Sequence, residues 1–190
     1  MRKLVVSMFV SADGYINGPG GEFIGPDWSA DLDGWTDGLV DRFDTLVYGR
    51  TSWEKMAEYW PATVGNPELP PATRRLADFM HRSRKLLVSR TRTDGSAWHN
   101  TTVVAGPLRE AIASEQSKPG KDLVLFAGAI MAQSALREGL VDELSLLVIP
   151  RLFGHGTRLF EGHGAPRALR LLEHRAMDTG AVLTRYAVER

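Results

Sequence analysis

Five short runs of almost continuously apolar residues, several of them β-branched, constrain the fold of this chain most strongly. A strand with one buried face alternates apolar and polar residues, whereas a strand covered on both faces is apolar at nearly every position. The runs have the second pattern and are short enough to be strands. They are KLVVSMFV (3–10), TLVYG (45–49), KLLVS (85–89), TTVVAG (101–106) and DLVLFAG (122–128). The sequence therefore predicts the central strands of a covered sheet.

Segments with helical spacing separate several of these runs. Leu76, Phe79 and Met80 mark the apolar face of one helix, and Pro107 is suited to the first position of another. A further helix, in AIMAQSALREGLV, is expected to end at a glycine cap, Gly139. Because strand and helix alternate, we predict a mostly parallel α/β sheet.

The C-terminal part of the chain has a different pattern. ELSLLVIP is followed by the glycine-rich loop FGHGT and then by two strands of about eight residues around Asp178-Thr179-Gly180, a hairpin signal. Antiparallel strands are therefore expected to complete the sheet. With 190 residues and no linker or repeat, residues 1–190 are predicted to form a single domain.

Charge and composition exclude several classes of protein. Lys and Arg number 23, as do Asp and Glu, and no block of like charges exists, so neither nucleic acid nor a membrane surface is an expected partner. Without cysteine there is no disulfide, thiolate metal site or cysteine nucleophile. The five histidines lack metal-ligand spacing, although His155 and His163 flank a glycine-rich loop. No apolar run reaches the roughly 20 residues of a membrane span, and the N-terminus reads as a strand rather than a signal peptide, so we expect a cytoplasmic protein that binds small molecules.

Two strand ends combine small, hydroxyl and arginine residues. In an open α/β sheet, ligands bind outside the carboxyl ends of the strands, where helix N-termini attract anions. Gly49-Arg50-Thr51 follows the second run, and Ser89-Arg90-Thr91 follows the third. Taken singly, the first is equally explained by a hydroxyl helix cap beside a solvated arginine, and the second by a polar strand exit. Their repetition favours a shared phosphate ligand.

A third strand end contains small residues without a polar cap. In Ala127-Gly128-Ala129-Ile130, first-turn N–H groups without a side-chain partner suit a pyrophosphate, but close packing of helix on sheet also requires small residues. No GxGxxG or Walker A motif is present. Phosphate-binding groups are therefore expected to be distributed over several strand ends.

Acidic residues cluster around the helix that follows a long loop, GPGGEFIGPDW (18–28). Asp31 and Asp33 near its start suit the helix dipole, which needs no functional explanation. Asp33 beside Trp28 also suits an acid, or an acceptor for an N–H-rich heterocycle. We regard Asp33 as the better catalytic candidate.

With these residues assembled, the chain resembles the dihydrofolate-reductase-like superfamily, in particular the reductase domain of the bifunctional riboflavin-biosynthesis deaminase/reductase. The resemblance covers nearly the whole length. It rests on SADGYING, YGRTSWE, KLLVSRT, FAGAIMAQSALREGLVDEL and PRLFGHGTRLFE. The zinc motifs of the deaminase are absent, so the chain resembles a stand-alone relative.

The resemblance implies a three-layer α/β/α domain with a mostly parallel sheet and a C-terminal antiparallel hairpin. It implies an oxidoreductase that uses NADPH to reduce a pterin-, folate- or aminopyrimidine-like heterocycle, imine or carbonyl, and it makes a homodimer the expected state. By motif, Trp28 and Asp33 would contact the substrate and Ile16 would lie near the nicotinamide. The other implied cofactor contacts are Gly49, Arg50 and Thr51 at the phosphates, Ser89, Arg90 and Thr91 at the 2′-phosphate, and Gly128, Ala129, Ile130 and Ala132 at the pyrophosphate and ribose.

Two alternatives stay open. One is a binding module of the same fold that senses a nucleotide or pterin-like ligand without turnover. The other is an α/β enzyme that binds a phosphate ester and uses no nicotinamide.

Overall fold

The computed structural model of the chain describes residues 1–161 and 164–189. Their strands form an eight-stranded, mostly parallel sheet whose C-terminal strands are antiparallel, which confirms the predicted fold class. The elements, in chain order, are β1 (Leu4–Ser11), α1 (Ala30–Arg42), β2 (Phe43–Gly49), α2 (Arg50–Thr63), α3 (Pro71–Arg82), β3 (Arg84–Val88), β4 (Thr101–Val104), α4 (Leu108–Gln116), β5 (Asp122–Leu125), α5 (Ala129–Arg137), β6 (Glu143–Ile149), β7 (Leu169–Ala176) and β8 (Val182–Val188).

The residue contacts divide the chain into two compact units. The first unit comprises residues 1–2 and 33–124, and the second comprises residues 3–32 and 125–190. That the whole chain behaves as one domain therefore stays a prediction.

Strands β2, β3 and β4 pair in parallel in the first unit, and β5 lies next to β2 in the sheet order. β2 pairs with β3, and β3 pairs with β4. Leu46 and Leu87 are fully buried on these strands, as expected from their apolar runs. Helix α2 contacts β2, β3 and α3, and its Trp53 is also buried. The register of this sheet decides which strand ends are neighbours.

The second unit joins one parallel pair to an antiparallel hairpin. β1 pairs with β6 in parallel, β6 pairs with β8 antiparallel, and β8 pairs with β7. The predicted turn closes the hairpin: Gly180 has φ 81°, and the N–H of Met177 donates to the carbonyl of Ala181 at 2.8 Å. The predicted hairpin is confirmed.

The ends of the helices and strands test the predictions made from capping residues. After α5, the N–H of Gly139 donates to Leu136 and that of Leu140 donates to Ala135, which is a Schellman motif at a glycine with φ 66°. Pro107, in contrast, precedes α4 as its N-cap, because its ψ of 142° is extended rather than helical. β4 and β5 also end before the small residues of their predicted runs, which form the exits to α4 and α5.

Among the helices of the described residues, none is both long and apolar enough to span a bilayer.

Candidate functional site

Two predicted phosphate-binding groups leave neighbouring strands of the first unit. Gly49 at the end of β2 is the register partner of Val88 at the end of β3. Because the pairing is parallel, Arg50 and Ser89 follow at the same edge of the sheet. The structure therefore brings Gly49-Arg50-Thr51 and Ser89-Arg90-Thr91 to adjacent positions.

The N-terminus of α2 has no side-chain cap. Its N-cap residue is Gly49, with φ −85° and ψ 166°, and no side-chain hydrogen bond is made there. The first turn contains no acidic residue. Thr51 is exposed and lies inside the helix rather than capping it. The first N–H groups of a 14-residue helix thus carry their partial positive charge at the end of β2, with no acidic residue in the first turn to balance it.

Both predicted arginines of this edge are available to an external anion. Arg50 and Arg90 are exposed, and in the described part of the chain neither forms an ion pair with a carboxylate. Arg92, two residues further on, is different. Its guanidinium lies 5.1 Å from the Trp53 ring centroid and 3.4 Å from Glu54. Two unpaired cations therefore flank the uncapped helix.

Ser89 has a structural function that the sequence did not reveal. It is buried, and its Oγ accepts the backbone N–H groups of Thr91 at 3.3 Å and Arg92 at 2.9 Å. Its own N–H donates to Val104 of β4 at 3.0 Å. The hydroxyl oxygen thus accepts hydrogen bonds from the turn that contains Arg90. The hydroxyl proton can still be donated to a ligand. A serine directly after an apolar run is a local signal for such a turn, because its hydroxyl can accept the N–H groups two and three residues later.

The small-residue strand end in the second unit also precedes an uncapped helix. Gly128 is the N-cap of α5, with φ 99° and no side-chain capping bond. The side chains of Ala129 and Ala132 are buried, whereas Ile130 is 77% exposed. The N–H of Ala132 donates to the carbonyl of Gly128 at 3.1 Å, so it is not among the open N–H groups, and a contact of Ala132 with a cofactor stays a prediction. The sequence allowed two interpretations of this strand end, close packing of small residues and uncapped N–H groups. The structure has both features here.

Ile16 lies in a loop held by a carboxylate that the sequence analysis missed. Asp13 accepts a hydrogen bond from the Ser11 hydroxyl at 2.6 Å and from the N–H groups of Phe153 at 3.1 Å and Gly154 at 2.8 Å. These bonds, the Ser11 hydroxyl first, lower the pKa of Asp13 to about 2. Asp13 thus joins SADGYIN to FGHGT as a carboxylate.

Further bonds between the same two segments fix Ile16 itself. Its N–H donates to the carbonyl of Thr157 at 3.0 Å, and Asn17 Oδ1 accepts the N–H of Thr157 at 2.7 Å. The guanidinium of Arg158 lies 4.7 Å from the Tyr15 ring centroid. No local pattern predicts these contacts, because about 140 residues separate the partners.

The predicted substrate residues lie before and at the start of α1. Trp28, in the second unit, is an exposed loop residue, and Asp33, in the first, is a half-buried residue of the first turn. Of the neighbouring acids, Asp27 pairs with Arg151 at 2.8 Å and Asp31 accepts the N–H of Asp178 at 2.9 Å. The functional roles of Trp28 and Asp33 stay predictions.

The histidines show no metal centre in the part of the chain that is described, where no group of three or more His, Asp or Glu side chains has metal-binding geometry. His155 is exposed, and His163 lies outside the described residues.

Proteins of known sequence include relatives of similar length. The protein YyaP of Bacillus subtilis strain 168 is 30% identical over 183 residues, which cover 95% of this chain and 92% of YyaP. YwjB of the same strain is 24% identical over 163 residues, 84% of this chain and 83% of YwjB. Both are described as uncharacterized.

Solved structures with the same fold include a protein from Shewanella sp. PV-4 that is described as a riboflavin biosynthesis protein. Its TM-score is 0.79, with 22% identity and 99% of both chains covered. A pyrimidine reductase-like protein from Corynebacterium diphtheriae has a TM-score of 0.67, with 17% identity, 100% of this chain and 92% of that one. The similarity confirms the dihydrofolate-reductase-like α/β fold.

A third structure is the diaminohydroxyphosphoribosylaminopyrimidine deaminase/5-amino-6-(5-phosphoribosylamino)uracil reductase of Thermotoga maritima. Its TM-score is 0.68 at 11% identity, and the match covers 99% of this chain but 57% of that protein. The family model for the RibD C-terminal domain matches residues 2–183. The chain therefore belongs to the RibD C-terminal domain family, a reductase-type family, as its sequence motifs predicted.

Proposed function

We propose that this protein is an NADPH-dependent reductase that transfers hydride to a heterocyclic, imine or carbonyl substrate. The observation that carries the proposal is the edge of the first unit, where exposed, unpaired Arg50 and Arg90 flank the uncapped N-terminus of α2. This arrangement is suited to a phosphate group. Membership of a reductase-type family supports NADPH as the ligand that carries it.

The charges of this edge favour a phosphate monoester. Each charged hydrogen bond from an arginine contributes roughly 1.5–3 kcal/mol, and a helix N-terminus adds about 0.3–1 kcal/mol. No carboxylate of α2's first turn opposes this attraction. We assign Gly49, Arg50 and Thr51 to the cofactor phosphates and Arg90 and Thr91 to the 2′-phosphate, with Ser89 holding the turn and offering its hydroxyl proton.

The second unit contributes a separate set of proposed contacts. The open N–H groups at the start of α5 suit the pyrophosphate and ribose, with Gly128 and Ala129 contributing backbone, Ile130 its exposed side chain, and Ala132 the close packing beneath them. Ile16 is the proposed neighbour of the nicotinamide, since Asp13 and Thr157 hold its loop in place. Bound NADPH would supply the hydride.

The proposed substrate is a pterin-, folate- or aminopyrimidine-like molecule. The names of the structural neighbours, a pyrimidine reductase-like protein and an aminouracil reductase, support this class. Asp33 is the proposed group that binds an N–H-rich ring and supplies the proton directly or through a water molecule, and Trp28 is proposed to contact the ring.

Fluorescence of the five tryptophans provides a direct titration of NADPH and NADH. We expect NADPH to bind more tightly than NADH and to be oxidised in the presence of a substrate from a panel of pterins, aminopyrimidines and quinones. Binding of neither nucleotide would refute the proposal. Binding without oxidation across the panel would favour the module that senses a ligand without turnover.

Arginine variants identify the phosphate that each side chain contacts. Arg90→Ala should weaken NADPH by roughly 1.5–3 kcal/mol and leave NADH nearly unchanged. Arg50→Ala should weaken both if Arg50 contacts the pyrophosphate. Arg74→Ala is the matched control, because Arg74 is an exposed arginine of α3 that forms no ion pair with another described residue. Equal losses for both nucleotides in Arg90→Ala would contradict the 2′-phosphate assignment.

A further inference from the structure

Two loops that follow neighbouring strands of the second unit expose large apolar side chains. β1 and β6 pair in parallel with Ser11 opposite Ile149, so the loops after them, residues 12–28 and 150–160, leave the sheet at the same edge. Four exposed side chains of these loops are called the apolar rim: Phe23 (71% exposed), Trp28 (48%), Leu152 (78%) and Phe160 (39%). Large apolar side chains exposed in one region mark binding surfaces, whereas single scattered ones need no explanation.

An ion pair between the two loops brings two rim residues into one region. Asp27 Oδ1 accepts Arg151 Nη2 at 2.8 Å. Trp28 and Leu152 directly follow these two residues in the chain, so their backbone positions are tied together by the ion pair. Both side chains stay exposed, and their apolar surface is therefore open to a ligand.

The other two rim residues are attached to the same loops. The Phe23 ring lies against Phe9 of β1, with 5.9 Å between the ring centroids, yet most of its surface is exposed. Phe160 follows Leu159, whose N–H donates to the carbonyl of Gly14 at 3.0 Å. Attachment of this kind favours binding, because a preorganised surface loses little conformational entropy when a ligand packs against it.

The charges of the two loops disfavour an anionic ligand. Residues 12–28 and 150–160 contain two arginines and three carboxylates, which are Arg151, Arg158, Asp13, Glu22 and Asp27. With His155 neutral, two positive and three negative charges leave a formal charge of −1. A phosphate monoester carries roughly −1.5 to −2 charges at neutral pH, so the loops as a whole would repel it.

Both arginines of these loops already have partners within the chain. Arg151 donates to Asp27, and the guanidinium of Arg158 lies 4.7 Å from the Tyr15 ring centroid. Arg50 and Arg90 of the first unit, which we assign to the cofactor phosphates, are exposed and form no ion pair with a described carboxylate. A phosphate on the substrate would therefore have to compete with Asp27 for Arg151 or draw Arg158 away from its ring.

We propose that the substrate is an uncharged, planar aromatic ring system without a phosphoribosyl group, and that it packs against the apolar rim. This inference rests on the proposed reductase function, because it names the substrate class of that reaction. Flat rings bind aromatic and aliphatic side chains by burying apolar surface and by stacking, and a phosphate adds nothing to either interaction. Uncharged pterins, aminopyrimidines and quinones fit this description, whereas their phosphoribosyl derivatives do not.

Three ligands test the substrate class. 5,6-Diaminouracil is an uncharged flat ring, 5-amino-6-(5-phosphoribosylamino)uracil carries the same ring with a ribose phosphate, and 2-methyl-1,4-naphthoquinone is a larger uncharged ring. Isothermal titration calorimetry with excess NADP⁺ measures their binding without turnover. We expect the phosphoribosyl compound to bind about tenfold or more weakly than either uncharged ring. Equal or tighter binding of the phosphoribosyl compound, or no binding of the uncharged rings, would overturn the proposal.

A charge placed in the rim tests its location. Leu152→Asp should weaken the naphthoquinone by about tenfold or more and leave NADP⁺ binding unchanged, because the side chain is exposed and its apolar contact with the ring is lost. Val64→Asp, at a 37% exposed apolar residue of the first unit, is the matched control and should bind like the wild type. Unchanged naphthoquinone affinity in Leu152→Asp, or an equal loss in both variants, would overturn the assignment to the rim.

Oxidation of NADPH, followed separately with the same three ligands, distinguishes this inference from the proposed function. Tight binding of the uncharged rings without oxidation would contradict the reductase and support the ligand class. Oxidation of NADPH with the phosphoribosyl compound as the preferred substrate would support the reductase and contradict the ligand class.

Discussion

Gly156 packs directly against the backbone of Asn17. A Cβ on Gly156 would lie 2.2 Å from the carbonyl oxygen of Asn17 and 2.9 Å from its Oδ1, and φ of Gly156 is 130°. Only glycine fits this contact between SADGYIN and FGHGT, because the carbonyl oxygens of Asn17 and Gly18 leave no room for a side chain.

Gly156→Ala is therefore expected to lower the free energy of unfolding by about 3 kcal/mol, through both the clash and the left-handed backbone. Gly154→Ala is the control in the same loop. Gly154 has φ 70° but open space around its Cβ position, so backbone strain alone should cost about 1 kcal/mol. Urea unfolding of both variants measures the difference, and equal losses would mean that the Asn17 contact is not restrictive.

Asp13 should make this region sensitive to acid. Its folded pKa of about 2 lies below the ~3.9 expected for an unfolded aspartate, so its contribution to stability is complete above pH ~4. The contribution should then disappear as the pH falls toward 2. We expect Asp13→Asn to be less stable than the wild type at neutral pH, and we expect this difference in stability to disappear in acid.

Thermal unfolding of both proteins between about pH 2 and 7 tests this prediction. The exposed Asp41→Asn in α1 is the control and should parallel the wild type. A gap that is independent of pH would show that the shape of the Asp13 side chain matters rather than its charge.

Lys85 should make the first unit more stable in alkali. It is buried on β3, and desolvation lowers its pKa from 10.5 to about 7. Its Nζ donates to the carbonyls of His81 at 2.5 Å and His99 at 2.9 Å and lies 4.6 Å from the Trp98 ring centroid. The unfolded state then binds one more proton than the folded state between these two pH values, so stability rises with pH across that window.

Lys85→Met removes this proton and retains much of the side-chain volume. The stability of the wild type relative to Lys85→Met should therefore increase from pH 7 to about 10, by at most ~1.4 kcal/mol per pH unit. Chemical unfolding of the pair at each pH gives this difference directly. A constant difference would indicate that the two carbonyls and the Trp98 ring keep Lys85 charged throughout.

Ser89→Ala should loosen the turn that presents Arg90. The hydroxyl oxygen accepts two backbone N–H groups, so we expect a loss of about 1–2 kcal/mol in unfolding free energy, together with weaker NADPH binding. Ser114→Ala, at an exposed position of α4, is the control for replacing a serine. A stability loss with unchanged NADPH affinity would separate the turn from cofactor binding.

Several features of this chain could be predicted because they depend on neighbouring residues. The cap at Gly139, the Asp178-Thr179-Gly180 hairpin and the buried strands β2 and β3 each follow from backbone preference or from apolar patterns a few residues long. The same local logic misplaced Pro107 by one position, because proline also suits an extended residue just before a helix.

The candidate site was predictable in part. Arginine and hydroxyl residues after two apolar runs indicated Arg50 and Arg90 as candidates. Because parallel strands end at the same side of a sheet, the two arginines were expected to lie close together. The internal bonds of Ser89 were not anticipated, because phosphate binding and turn formation use the same hydroxyl. Whether the assigned residues hold NADPH stays a prediction for the titrations.

The sequence alone determined the order of strands and helices and the chemistry at the strand ends, since each depends on short-range periodicity. Only the tertiary structure decided that Gly49 lies beside Val88, that Asp13 binds Phe153 and Gly154, and that Arg151 pairs with Asp27. These relationships join segments far apart in the chain, where register and packing, rather than local propensity, select the partners.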